Sequence, residues 1–166
     1  MTEPVSVSRR IEAPAALIFA ILADPARHPE IDGSGMARAA DSPPVEKAGD
    51  AFVMRMSNRS IGDYVVTNRV VEFERDRLIT WIPELTEVSR PEHQHRVGVE
   101  GTVRWSYALA PDGDGATIVT ETYDCSRAPE RTRRQVRDGE LWRDGMRQSL
   151  ENLNRLATQE STRTHD

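Results

Sequence analysis

The chain ends in one stripe of apolar side chains at helical spacing, preceded by about ninety residues that read as strand. Trp142, Met146, Ser149, Leu150, Leu153 and Leu156 fall at i, i+4, i+7, i+8, i+11 and i+14, one face of a helix of about five turns. Upstream, candidate strands occupy 35–41, 50–58, 61–75, 77–83, 101–110 and 116–124. Their separators are turn chemistry: Ser42-Pro43-Pro44, Lys47 to Asp50, Asn58-Arg59, Glu74-Arg75-Asp76 and the run Pro111 to Gly115. Short turns between successive strands imply an antiparallel meander. A helix with one apolar face must then bury that face against the sheet.

The first forty residues add a strand and two short helices. Val5, Val7 and Ile11 alternate with Ser6, Ser8, Arg10 and Glu12, a period of two. Pro14 suits the first position of a helix over Ala15 to Leu22, striped by Leu17, Ile18, Ile21 and Leu22. Asp24-Pro25 ends it and caps a second short helix through His28, and Asp32 to Gly35 form a turn. The stretch 84–100 is polar and without a clear period, and reads as a long connection. Residues 130–138 read as a solvated lead-in or a separate short helix. Gly139 marks a break there, and Gly145 permits close approach to the sheet. The expected order is β-α-α-β6-α in a single domain over 1–158, with a frayed tail at 159–166.

Composition excludes several classes. With 166 residues, 37% hydrophobic and 30% charged, the chain has the profile of one globular domain rather than a disordered or low-complexity segment. One cysteine, Cys125, leaves no disulfide framework and no site with two thiolates. A net charge of −5 argues against nucleic acid as partner. Arg9-Arg10 before the apolar run 13–23 superficially resembles an export signal. Glu12 and Pro14 interrupt it, however, and it is far short of the roughly 20 residues of a spanning helix. The expectation is a cytoplasmic protein without membrane insertion, monomer or homodimer.

The order and several segments resemble the START-like helix-grip superfamily, in its polyketide cyclase/dehydrase and lipid-transport branch. The residues that carry the resemblance are Val5–Pro14 (VSVSRRIEAP), Ile18–Ile31 (IFAILADPARHPEI), Asn68–Trp81 (NRVVEFERDRLITW), Trp105–Leu109 (WSYAL), Thr117–Asp124 (TIVTETYD) and the terminal stripe. The resemblance implies an α+β fold in which a curved seven-stranded antiparallel sheet grips the long C-terminal helix. It also implies a ligand cavity between them and no cofactor.

Alternation places large residues on shared strand faces: Phe52, Met54 and Met56; Trp105, Tyr107 and Leu109; Ile79 with Trp81; Val119, Glu121 and Tyr123. With Trp142 and Met146 they would line a pocket suited to a flat or lipid-like ligand, or else simply fill the core. Strand 61–75 is ambiguous, because Tyr64, Val66, Asn68 and Val70 compete with Val65, Thr67, Val71 and Phe73 for the inner face. A bulge would let each set face inward in turn.

Polar residues on that face are the candidates for chemistry. An inward Glu121 would be desolvated and its pKa raised toward acid/base use, or would be paired with an arginine. Tyr64 and Asn68 could orient a ligand carbonyl or hydroxyl. His28, beside Glu30 and Asp32, is a candidate base, although its Pro-flanked turn favours a capping or packing role. His93 and His95 lack a third fixed ligand, so no metal site is assigned. Seven arginines between 127 and 147 are interleaved with Glu130, Asp138, Glu140 and Asp144, which reads as a salt-bridged surface. Cys125 receives no catalytic role.

The leading expectation is a binder of a small hydrophobic ligand, whether aromatic, polyketide-like or lipid-like. The alternatives are a cyclase/aromatase or dehydratase using Glu121, Tyr123, Asn68 and His28, and a protein-interaction module of the kind that activates heat-shock ATPases.

Overall fold

The computed structural model describes residues 2–98 and 101–164. Seven strands form one antiparallel sheet in the order β1-β7-β6-β5-β4-β3-β2. The strands are β1 (Val5–Ile11), β2 (Ala37–Ala39), β3 (Ala51–Asn58), β4 (Gly62–Glu74), β5 (Leu78–Val88), β6 (Arg104–Pro111) and β7 (Thr117–Asp124). From β2 to β7 each strand pairs with the next in sequence, as short turns require, and β1 closes against β7. The helices are α1 (Ala15–Leu22), α2 (His28–Ile31), α3 (Glu130–Gln135) and α4 (Arg143–Arg163).

The first helix starts after Pro14, which occupies the cap position rather than the first helical turn, and buries Ile18, Phe19, Ile21 and Leu22. Phe19 therefore takes a core place that the spacing had assigned to Leu17, and its ring meets Phe73 edge-on at 5.3 Å between centroids. Asp24 caps a 3₁₀ turn over Pro25–Arg27, its carboxylate accepting from the Ala26 amide. That turn leads directly into α2.

Two features of the sheet bear on the site. The strand β4 carries a register shift between Val70 and Glu72. Before it, Val66, Asn68 and Val70 face inward; beyond it Phe73 does, against α1. The bulge thus resolves the competition along 61–75 by giving each set its own half of the strand. The strand β5 runs to Val88, so residues 84–88 are strand and not connection. They supply the partner that the outer half of β4 needs, from Tyr64 opposite Val88 to Asn68 opposite Pro83. Pro83 and a register irregularity near Thr86 hide the alternation in the sequence. After β5, residues Pro91–Arg96 form a 3₁₀ helix.

Before α4 the chain kinks. Arg137, Asp138 and Gly139 all have positive φ, and a Cβ on Gly139 would lie 2.9 Å from the Tyr123 ring. The break at Gly139 is therefore both conformational and steric. Gly145, by contrast, lies against Ser34 in the loop after α2 rather than against the sheet. The helix α4 buries Met146, Ser149, Leu150, Leu153 and Ala157, with Ala157 deeper than Leu156. It continues past residue 158 through Arg163, where the sequence pattern predicts fraying. Glu160 in that extension is ion-paired with Arg27, which ties the last turns to the 3₁₀ turn before α2. On the surface before and along α4, Arg134–Glu130, Arg143–Glu140 and Arg147–Asp144 pair as the charge interleaving suggests.

Candidate functional site

Between the inner face of the sheet and the first half of α4 lies a cavity of about 290 Å³. Alternation on β3 aims Phe52, Met54 and Met56 into it, and β4 contributes Tyr64, Val66 and Asn68. Trp81 and Pro83 come from β5, Trp105 and Tyr107 from β6, and Glu121 from β7. The far wall is Trp142, Gly145, Met146 and Ser149. One end is closed by His28 and Ile31 of α2 and by Asp32, Ser34, Met36 and Ala37 after it; the exposed Ser34 marks a rim.

Of nine Phe, Tyr and Trp residues in the chain, six line this space, including all three tryptophans. Four of the five methionines line it too. The walls are therefore flat, polarisable and adaptable, a surface that favours stacking over directional bonding. Four of the rings form a chain of contacts. Trp81 is 5.5 Å from both His28 and Phe52, and 5.8 Å from Tyr107.

The sequence candidates divide here. Phe52, Met54, Met56, Tyr64, Asn68, Trp81, Trp105, Tyr107, Glu121, Trp142, Met146 and His28 all reach the cavity. Tyr123 does not: it is buried among Val5, Cys125, Ala128 and Met146, behind Trp105. Burial on that side pushes its phenol up to about 12. Leu109 and Ile79 likewise belong to the core beside α1. The residues that sequence reasoning missed are Val66, Pro83, Ser149 and the group from Ile31 to Ala37. Val66 belongs to one of the two faces weighed for β4. The loop after α2 carries no periodicity that would have exposed it.

Glu121 is the unusual member. It is 4% exposed, its Oε2 has no hydrogen-bond partner, and no arginine among the described residues acts on it. Desolvation raises its carboxyl to about 8, with the neighbouring Tyr107 phenol acting in the opposite direction and Asp32 adding to the rise. Glu121 is thus a neutral acid at neutral pH. The Tyr107 phenol is itself pushed well up, by burial first and then by Glu121.

The other polar groups are already engaged. His28 is buried and its Nε2 donates to the Leu22 carbonyl at 2.7 Å, so that in the neutral ring Nδ1 is the acceptor. Burial also lowers its pKa. An imidazole ¹H–¹⁵N pH titration is expected to place the His28 midpoint below the ordinary 6.5; a midpoint above it would contradict this burial. Asp32 accepts from the Ser34 amide and hydroxyl and from the Ala37 amide. The Ser149 hydroxyl accepts from the Gly33 amide and donates to the Gly145 carbonyl. His93 and His95 lie away from the cavity on the 3₁₀ helix after β5, and among the described residues no group of three or more His, Cys, Asp or Glu side chains could hold a metal. No described helix is long and apolar enough to cross a membrane.

A curved antiparallel sheet closed by a long C-terminal helix, with an aromatic cavity between them, defines a helix-grip protein. Residues 2–158 match the family described as polyketide cyclase/dehydrase and lipid transport, and the chain belongs to that family. Over 124 residues it is 35% identical to the uncharacterized protein Rv0088 of Mycobacterium tuberculosis; the match covers 73% of this chain and 48% of that protein. The chain thus spans about half the length of the curated relatives it matches. Among solved structures it is similar to protein Ms6760 from Mycobacterium smegmatis, with a TM-score of 0.70 at 15% identity over 96% of this chain and 93% of that one. It is also similar to protein CV1439 from Chromobacterium violaceum, with a TM-score of 0.65 at 16% identity over 93% and 97% of the two chains. At these identities the likeness is one of fold.

Proposed function

We propose that the protein binds a small hydrophobic molecule, aromatic, polyketide-like or lipid-like, in the cavity between sheet and α4. The observation that carries this reading is the concentration of six aromatic and four methionine side chains around about 290 Å³ of space left unfilled. A concave, predominantly apolar pocket faced by so many large side chains has the character of a small-molecule site. The family and the fold support ligand binding at this place. Among the described residues the exposed large apolar side chains are Val53 and Leu141, on separate elements, so a docking module of the heat-shock-ATPase kind finds less support here.

All three tryptophans line the cavity, so its occupancy is readable without a label. Titration with a panel of polycyclic aromatics and medium-chain lipids is expected to quench or shift tryptophan emission saturably. Native mass spectrometry of the same samples should show a 1:1 adduct. If no member of the panel changes either signal, the binding reading fails.

A second reading is favoured by one observation: Glu121, Asn68 and His28 converge on the same cavity. A neutral carboxylic acid, an amide and a neutral imidazole around a dry, aromatic space can donate to and accept from a carbonyl undergoing enolisation. Tyr123 has no place in that arrangement. Turnover of a polyketide-like substrate that is lost in Glu121→Gln, with binding retained, would establish it.

A further inference from the structure

The cavity also has a sign. Its lining residues include two acids, Glu121 and Asp32, and neither lysine nor arginine. Arg96 acts on the Tyr64 phenol at the edge but is not among the groups that act on Glu121. The surrounding ring faces carry negative charge density, which attracts cations and repels anions. Within this field Glu121 Oε2 is a buried acceptor without a partner. Asp32 and Ser149 hold hydrogen bonds within the protein, as described above, and His28 is held through Nε2 on the Leu22 carbonyl, with Nδ1 left as an acceptor. Trp142 Nε1, also buried without a partner, is a donor beside the Tyr123 phenol.

Resting on the reading of the cavity as a hydrophobic ligand site, we propose that its ligand carries a basic nitrogen that pairs with the Glu121 carboxyl, and that carboxylates of the same size and shape are excluded. An ammonium group would gain from the ring faces and from both carboxyls at once. A ligand carboxylate would meet the same groups as repulsion, with no cation to offset it. A neutral carbonyl would use only the hydrogen of Glu121 and gain nothing from Asp32.

The proton balance gives this proposal a signature. The bound pair is ammonium and carboxylate. An amine that arrives already protonated therefore displaces the Glu121 proton into solvent. The groups that act on Glu121 are Tyr107, its cross-strand partner on β6, and Asp32; its partner on β1 is Val7, and the cavity wall opposite adds Trp142 before α4 and Met146 and Ser149 on it, none of them charged. Glu121 is consequently the group whose ionisation the amine must drive. With its carboxyl near 8, amine affinity should rise roughly tenfold per pH unit up to that point and then level off.

The test uses three probes that differ in one group: 2-naphthylmethylamine, 2-naphthylmethanol and 2-naphthoate. Calorimetric titration, run in two buffers of different ionisation enthalpy, reads affinity and proton release together. The amine is expected to bind at pH 8 at least tenfold more tightly than the alcohol, with the carboxylate weakest, and to release close to one proton at pH 7. Glu121→Gln should abolish the preference for amine over alcohol and the proton release on amine binding. Amine affinity equal to that of the alcohol or the carboxylate, or flat between pH 6 and 8, overturns the proposal while binding of the alcohol keeps the hydrophobic-ligand reading intact. Binding of none of the three overturns both.

Discussion

Replacing Glu121 with glutamine is expected to flatten the pH dependence of stability and to raise the melting temperature at pH 8. The sign follows from proton counts. The unfolded chain releases this proton near 4.5, whereas burial holds it in the folded protein to about 8. Between those values the folded state binds more protons, so raising the pH favours unfolding. The contribution is fully present below about pH 4.5 and is lost as the pH rises through about 8. Across about 3.5 pH units, at roughly 1.4 kcal/mol each, the loss is on the order of 5 kcal/mol, an upper figure that local rearrangement would reduce. His28 works in the opposite direction. Its pKa is lowered by burial, so it costs stability as the pH falls below its ordinary value of 6.5. The two slopes oppose each other just below pH 6.5, and above it the Glu121 slope acts alone. Melting curves of both proteins from pH 5.5 to 8.5 should diverge with increasing pH, the wild type falling. Parallel curves would mean that the carboxyl is not desolvated.

Gly33→Ala should be strongly destabilising. A Cβ at this position would lie 2.2 Å from the Gly145 carbonyl oxygen, 2.6 Å from the Ser149 amide and 2.7 Å from Gln148 Cβ. The first two atoms are α4 backbone and cannot step aside without moving the helix. The change would also break the 2.8 Å hydrogen bond from the Gly33 amide to Ser149 Oγ. A cost of about 3 kcal/mol is expected, lowering the melting temperature by roughly 6–12 °C. Because Asp32 and Ser34 line the cavity on either side of this contact, ligand affinity should fall as well. Gly115→Ala, where nothing lies within 4 Å of the new Cβ, should stay within about 0.5 kcal/mol of wild type. Equal behaviour of the two variants would show that the loop after α2 does not rest on the backbone of α4.

Much of this arrangement is legible in the chain because its strands are short, alternate regularly and end in recognisable turns. Phe52, Met54 and Met56 follow from a period of two, and Met146, Leu150 and Leu153 from a period near 3.6. The reading fails where a local irregularity interrupts the period. Pro83 and the irregularity near Thr86 conceal the outer half of β5. The helix extends to Arg163, and its last turns carry the Arg27–Glu160 pair, a long-range contact with no local signature. Tyr123 shows a different limit. It shares the inner face of β7 with Glu121, but the sheet's inner face is wider than the cavity, and the kink at 137–139 covers the Tyr123 end. Alternation tells which side a residue faces, not what stands opposite. The loop from Asp32 to Ala37, held by the Asp32 carboxylate, reaches the site through geometry that only the folded chain displays.

The bulge in β4 has an implication for how such proteins diverge. Because it changes the strand's inward set at Val70, the segment holding Tyr64, Val66 and Asn68 answers to the cavity, while the segment ending at Phe73 answers to α1. Selection can therefore rewrite the first segment to suit a new occupant without renegotiating the packing of the second. A single strand thus serves two separate neighbours, and the boundary between its two duties is a single inserted residue.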